Sequence, residues 1–354
     1  MVIRKTGTDW WAVALTLAVA GVGGFAAWAL HLPLGFLLGA LLATALLAAG
    51  DVPIAGRRMY LPTSFRQWFV PVIGVSIGGA FTPEVLAGAV HWWPSLLALL
   101  VYIPAAHGLA YFIFRKGGVG RIEAFFGGVP GGLIESVTLG EEMGADVRVL
   151  AALQFLRLIL TIVSIPLIFL ALTGSSVGSA AGAVLGGGSQ LGLRDAVVLA
   201  LAGGLGFIVA RALRFPAAVM TGPLLFSAIA HATGLAHGVP PLWLVAVTQV
   251  VIGANLGSRF GGMDRRMLAR TMGLSVVNSV ITLMLSFAFA MVVSRLVDEP
   301  VSAVFLAVAP GGVAEMSLIA LSLNIHVIYV TVHHVARIVL SVMIARMGSR
   351  FLHR

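Results

Sequence analysis

No cysteine occurs anywhere in the 354 residues. That absence excludes a disulfide-stapled secreted domain, a thiolate metal site and a cysteine nucleophile. Charge is scarce too: Asp, Glu, Lys and Arg make up only 10% of the chain, against about 25% in an ordinary soluble domain. With 59% hydrophobic residues and a mean hydropathy of +1.04, too few polar groups remain to cover a water-facing surface. The expectation is an all-α polytopic membrane protein. Lysine is nearly missing, since 20 of the 22 basic residues are Arg. Acidic residues number 13, which leaves a formal net charge of +9. The arginines sit singly or in pairs between apolar runs. On that distribution a pI near 11.1 reads as membrane topology, and nucleic acid is not expected as a partner.

Apolar segments fall at 9–30, 33–50, 67–81, 92–114, 123–143, 149–172, 192–211, 215–232, 242–258, 270–296, 302–323 and 326–347. A span takes about 20 apolar residues, so several of these are short or broken. The first run has no small-residue cleavage site behind it and reads as a retained helix, not a signal peptide. A stretch rich in Gly, Ser and Ala over 174–190 reads as a linker. It divides the chain into a first membrane repeat, 1–173, and a second, 191–354.

The two halves look like copies. Phe125-Phe-Gly-Gly-Val-Pro-Gly-Gly-Leu-Ile-Glu135 matches Phe305-Leu-Ala-Val-Ala-Pro-Gly-Gly-Val-Ala-Glu315 at an offset of 180. The same offset pairs Arg157 with Arg337 and Gln154 with His334. Gly74–Gly78 lines up with Gly253–Gly257, and Pro33–Gly39 with Pro216–Gly222. Glu and Arg are scarce here, so their recurrence beside the same Pro-Gly-Gly weighs more than any match of apolar residues.

Arginine placement then orients the copies, because cytoplasmic loops collect Lys and Arg. If all twelve segments span, Arg211/Arg214 and the cluster Arg259, Arg265, Arg266 and Arg270 land outside. If 123–143 and 302–323 instead dip in and return, every major basic loop falls inside, and only Arg194 and Arg295 are exceptions. Each half then has an odd number of spans. The predicted fold is two inverted repeats of about five spanning helices, each with one Pro-Gly-Gly broken or re-entrant segment. Both termini are expected in the cytoplasm and Gly174–Gly188 in the periplasm.

Candidate chemistry gathers at the breaks. Pro130-Gly131-Gly132 and Pro310-Gly311-Gly312 should interrupt their helices. Irregular backbone at membrane depth survives only where protein or a wet cavity surrounds it. Each break also starts a half-helix whose free N–H groups favour an anion; the bland alternative is a pair of packing kinks. Glu135 and Glu315 follow in the first turn. They either complement the half-helix dipole or carry Na⁺ or a proton. Arg157 and Arg337 lie well inside their helices, as ion-pair partners of those carboxylates or as a fork for an anionic substrate. Gln154 and His334, one turn earlier, complete such a site. Ser76 and Asn255 are equivalent polar residues, suited to line a site or to bond between helices. His333 has no counterpart in the first half, and adjacent helix positions chelate a metal poorly. No HExxH or Walker pattern occurs, and Gly186–Gly188 lacks the Lys-Ser/Thr of a phosphate loop. No metal site, cofactor or enzymatic activity is expected.

With Pro130-Gly-Gly-Leu-Ile-Glu135, Gly144-Ala-Asp146, Gln154-Phe-Leu-Arg157 and His334-Val-Ala-Arg337, the chain resembles the duplicated bacterial membrane proteins of the AbrB type over nearly its whole length. Members are often labelled as ammonia monooxygenases or regulators. The first label would need a metal site, and the second a soluble effector domain for which the chain has no room. At the level of fold the inverted plan also looks like ion-coupled carriers with two re-entrant hairpins, such as glutamate/sodium and citrate/sodium symporters.

The functional expectation is therefore a secondary transporter in the bacterial inner membrane, multi-pass, moving a small anionic metabolite coupled to H⁺ or Na⁺. The substrate and the lipid bilayer are its partners, Na⁺ enters only as a coupling ion, and homo-oligomerisation is left open. The alternative is a membrane-embedded regulator of gene expression working through a cytoplasmic partner. A membrane oxidoreductase ranks last.

Overall fold

Backbone in lipid has no water to bond with, so apolar runs of this kind satisfy their N–H and C=O groups by coiling into helices. The computed structural model describes residues 8–81, 88–173, 191–323, 325–350 and 352; the proposed linker 174–190 lies outside them. Fourteen α-helices form among the described residues: α1 (Trp10–Ala29), α2 (Gly35–Ala49), α3 (Thr63–Gly78), α4 (Trp93–Lys116), α5 (Arg121–Gly128), α6 (Leu133–Glu142), α7 (Val147–Thr173), α8 (Leu193–Ala212), α9 (Ala218–Ala232), α10 (Leu242–Ser258), α11 (Arg265–Val293), α12 (Val301–Val308), α13 (Val313–Ser322) and α14 (Val327–Ser349). Six of them, α1, α4, α7, α8, α11 and α14, are long and apolar enough to cross a membrane. The chain is an all-helical polytopic membrane protein. Helices α2, α3, α9 and α10 have 15 to 17 residues, about 22–26 Å at ~1.5 Å per residue, shorter than the ~30 Å hydrocarbon layer. The apolar segments 123–143 and 302–323 are each cut into two short helices.

The helices pack in two bundles. One holds α1, α2, α3, α8, α9 and α10; the other holds α4 to α7 and α11 to α14. Each bundle draws helices from both sides of residues 174–190. Contact between α3 and α13 joins the bundles, and one hydrophobic core runs through both, from Leu37 and Ile73 to Leu306 and Tyr329.

Close packing recurs at matched positions. Helices α1 and α2 cross so tightly that a Cβ on Gly39 would lie 2.1 Å from the Gly23 carbonyl oxygen. At the α8–α9 crossing, a Cβ on Gly222 would lie 2.0 Å from the Gly206 oxygen. The turn before α2 places His31 and Leu34 at φ 54° and 49°, and the turn before α9 places Arg214 and Ala217 at 56° and 50°. A left-handed non-glycine residue costs about 1–2 kcal/mol, so chance repetition of this conformation at two pairs, each 183 residues apart, is an unattractive account.

Side-chain bonds tie the loops into two ends. At one end Arg57 pairs with Asp9, Arg265 donates to the Gly50 carbonyl (2.9 Å), Arg259 to Thr63 (2.9 Å), and Arg270 to the Gly117 and Gly118 carbonyls (both 2.9 Å). At the other end Trp92 donates to Glu299 (3.1 Å), His326 pairs with Glu299 (2.8 Å), and Asp195 accepts from the Gly238 N–H (2.8 Å). The arginine-rich loops meet at the first end. The carboxylates Asp195 and Glu299 mark the second.

Candidate functional site

Both Pro-Gly-Gly sequences interrupt helix. Helix α5 stops at Gly128 and α6 starts at Leu133; α12 stops at Val308 and α13 starts at Val313. Proline supplies no N–H to continue the ladder. The interruptions differ in backbone despite their shared sequence. Gly132 is left-handed at φ 66°, whereas Gly312 is extended at φ −82°, ψ 149°. Breaking a helix strands the last carbonyls of its first piece, and the structure shows what meets them.

At the second break Arg337, fully buried, donates to the carbonyls of Val308 (3.3 Å), Ala309 and Gly311 (2.5 Å). His334 sits one turn earlier, with Nε2 2.9 Å from the Leu306 carbonyl and Nδ1 2.8 Å from Arg337 Nη2. A carbonyl only accepts and a guanidinium only donates, so the ring is the neutral Nε2–H tautomer. At the first break Gln154 Nε2 donates to the Phe126 carbonyl (2.6 Å), and Arg157 donates to Gln154 Oε1 (2.7 Å) and to the Gly127 carbonyl (3.4 Å). Phe126 and Leu306 are themselves 180 residues apart. Both pairs thus cap the C-terminal end of a half-helix, where positive charge also complements the dipole. Gly131 of the first break lies against α14, where an added Cβ would meet the Arg337 carbonyl oxygen at 3.4 Å. Tyr102 of α4 is buried and bonds Ser286 of α11 at 2.8 Å.

The expected ion pairs are not formed. Neither Glu135 nor Glu315 contacts Arg157 or Arg337; those guanidiniums turn toward stranded carbonyls, which lie nearer than the carboxylates of the following turn. Glu135 is exposed. Glu315 is fully buried and pairs with Arg66 of α3 at 2.7 Å, across the boundary between the bundles. Its second oxygen, Oε2, has no hydrogen-bond partner and leans back over Gly312. The structure therefore separates the two glutamates that the sequence treats as equivalents: α13 packs on α3, which carries Arg66, while α6 lies against α5, α7 and α14, and position 245 of α10, which corresponds to Arg66, is Val.

The remaining candidates are placed as follows. Ser76 bonds within its own helix to the Val72 carbonyl at 2.8 Å. Asn255 donates to the Leu61 and Pro62 carbonyls at 3.3 and 3.4 Å, and its Oδ1 is buried without a partner. His333 is buried, 2.8 Å from Ser95 Oγ and donating from Nδ1 to the Tyr329 carbonyl at 2.8 Å. Among the described residues no three metal-binding side chains cluster.

Sequence reasoning missed two features. Thr271, Ser275, Asn278, Ser279, Thr282 and Ser286 form a buried polar strip along α11, recoverable from their three- and four-residue spacing. Arg66 and Arg259 stand in or beside loops, where basic residues normally report topology, yet both reach the boundary between bundles; no spacing within the chain could reveal that.

Comparison with known proteins places this architecture. The chain is 28% identical over 361 residues to "Uncharacterized protein YhjN" of Bacillus subtilis (strain 168), covering 95% of this chain and 92% of that protein. It is 25% identical over 319 residues to "Putative regulator AbrB" of Escherichia coli (strain K12), covering 89% and 88%. A family model described as "Transition state regulatory protein AbrB" matches residues 52–353. The chain, with its paired helix breaks and buried arginine caps, belongs to the AbrB family.

Proposed function

We propose that the protein is a secondary transporter of a small anionic metabolite, driven by H⁺ or Na⁺, in the bacterial inner membrane. The observation that supports this reading best is the pair of broken helices buried inside an apolar bundle. A break there costs hydrogen bonds, and stabilising it has taken a fully buried guanidinium at the second break and a Gln–Arg pair at the first. A protein needing only a rigid membrane core would run these helices unbroken. In carriers, discontinuous helices present the N-termini of half-helices to anionic substrates near the midplane, and here neither α6 nor α13 has a side-chain cap.

The matched crossings and turns support two inverted repeats, each with about five spans and one re-entrant segment (α5/α6 and α12/α13). The meeting of basic loops at one end supports that end as cytoplasmic. Glu315 is the group we assign to the coupling ion, being buried, ionisable and half-unpartnered.

The test is uptake of labelled small carboxylates into proteoliposomes under imposed H⁺ or Na⁺ gradients. Gradient-driven uptake that Glu315→Gln abolishes, in a variant that elutes and melts like the parent, fits the reading. No flux of any anion under either gradient refutes it. The family and the Escherichia coli relative are both described as regulatory, which favours a second reading, a membrane-embedded regulator that we would have act through a cytoplasmic partner. That reading gains if flux is absent and deletion changes transcription.

A further inference from the structure

Arg337 is turned onto three carbonyls of the second break and Arg157 onto Gln154 and one carbonyl of the first, and both are buried, whereas Arg66 is partly exposed. We propose that a small carboxylate binds in the crevice at the start of α13, held by Arg66 and Arg259, and that Glu315 is its displaceable stand-in. The inference deepens the transporter reading and rests on it for the purpose of the site; binding itself is separable from flux.

The site is built from four elements. Arg66 of α3 is only partly buried and bonds Glu315 Oε1 at 2.7 Å, with its Nε unpartnered. Arg259, at the C-terminus of α10, donates to Thr63 at 2.9 Å and lies over the ring of Phe155 on α7 at 5.0 Å. Thr63 stands three residues before Arg66 on α3, so the bond to Thr63 brings Arg259 to the turn of α3 that carries Arg66. Two cations and one carboxylate leave a net charge of +1 in a partly desolvated seam. Gly312, over which Glu315 Oε2 leans, and Gly311 before it are partly exposed, while Gly131 and Gly132 of the other break are buried.

The first intrahelical bond of α13 runs from the Met316 N–H to the Gly312 carbonyl, 3.0 Å. The N–H groups of Val313, Ala314 and Glu315 therefore precede the ladder, at the positive end of the helix. Glu315 is wholly buried, and its unpartnered Oε2 turns toward this same spot. A carboxylate already occupies the position an anion would take, on one of the two available guanidiniums. Guanidiniums match carboxylates as two-pronged forks, which sets the ligand class. An incoming carboxylate takes Arg66, and the released Glu315, still buried, is neutralised by one H⁺ or one Na⁺. One cation is thereby tied to one anion.

Isothermal titration of the purified full chain with succinate and with acetate, at low ionic strength, tests the assignment. Glu315→Gln removes the competitor and should tighten binding about tenfold, which is ~1.4 kcal/mol. Arg259→Gln should weaken it about tenfold. The double variant Arg66→Gln with Glu315→Gln deletes the pair together, leaves no lone buried charge, and should abolish measurable binding. The proposal is overturned if neither carboxylate binds any of these forms. It is overturned equally if binding is indifferent to Arg259→Gln, or if folded Glu315→Gln binds no tighter than the parent. Binding that follows the expected pattern without any flux keeps the site and removes the transporter reading. Carboxylate flux whose apparent affinity ignores Arg259→Gln keeps the transporter reading and removes the site.

Discussion

Replacing Arg337 with Met should destabilise the protein far more than replacing Arg157, although the two occupy equivalent places in the sequence. Met keeps most of the aliphatic volume and removes every donor. At position 337 the change strands three carbonyl oxygens, those of Val308, Ala309 and Gly311, together with His334 Nδ1. Each buried acceptor left without a partner costs about 1–3 kcal/mol. Against that stands relief from keeping a guanidinium out of water, worth several kcal/mol in its own right. Four stranded acceptors less that relief leave a net loss of about 3–5 kcal/mol. At position 157 the change strands Gln154 Oε1 and one carbonyl, Gly127, whose 3.4 Å contact is longer than a good hydrogen bond. Gln154 continues to hold the Phe126 carbonyl, so the loss should be only about 1–2 kcal/mol. Reversible SDS titration of the two variants, followed by tryptophan fluorescence, gives the ranking directly. Equal losses, or a larger loss for Arg157→Met, would refute the claim that Arg337 holds the second break together.

Other expectations follow from single positions. Ala217→Gly relieves a left-handed backbone at φ 50° and should stabilise by about 1 kcal/mol, read in the same titration; any loss contradicts the strain argument. In a chain without native Cys, His237→Cys should react with an impermeant thiol reagent on intact cells and Arg58→Cys only after lysis, and the reverse pattern would invert the proposed orientation. Asp9 accepts the Ala12 N–H at the start of α1 and pairs with Arg57, and these hold its carboxyl below the ordinary aspartate value of 3.8. A depressed carboxyl stabilises above its unfolded pKa, and the stabilisation is lost as pH falls through the folded value. Stability should therefore drop as pH falls below the ordinary value, and Asp9→Asn should flatten that part of the profile.

Much of the architecture could be read from residues alone, because lipid imposes simple rules. Apolar runs at 10% charge have no alternative to helix in a bilayer, so composition determined the class and run length located the long helices. Pro-Gly-Gly marks an interruption wherever it falls in such a run, since Pro lacks the donor and Gly tolerates the turn; both breaks lie where those residues stand. Scarce Glu and Arg recurring 180 residues apart pointed to related halves. What the arginines bind was decided in three dimensions. A buried guanidinium takes the nearest acceptors, and a helix break creates carbonyl acceptors that no pattern of side chains displays. Arg66 and Glu315 meet across 249 residues because α3 packs on α13, while α6 lies against α5, α7 and α14 and Glu135 is exposed. Sequence periodicity reports which face of a helix is apolar; only the packing of one helix on another determines which charges find each other.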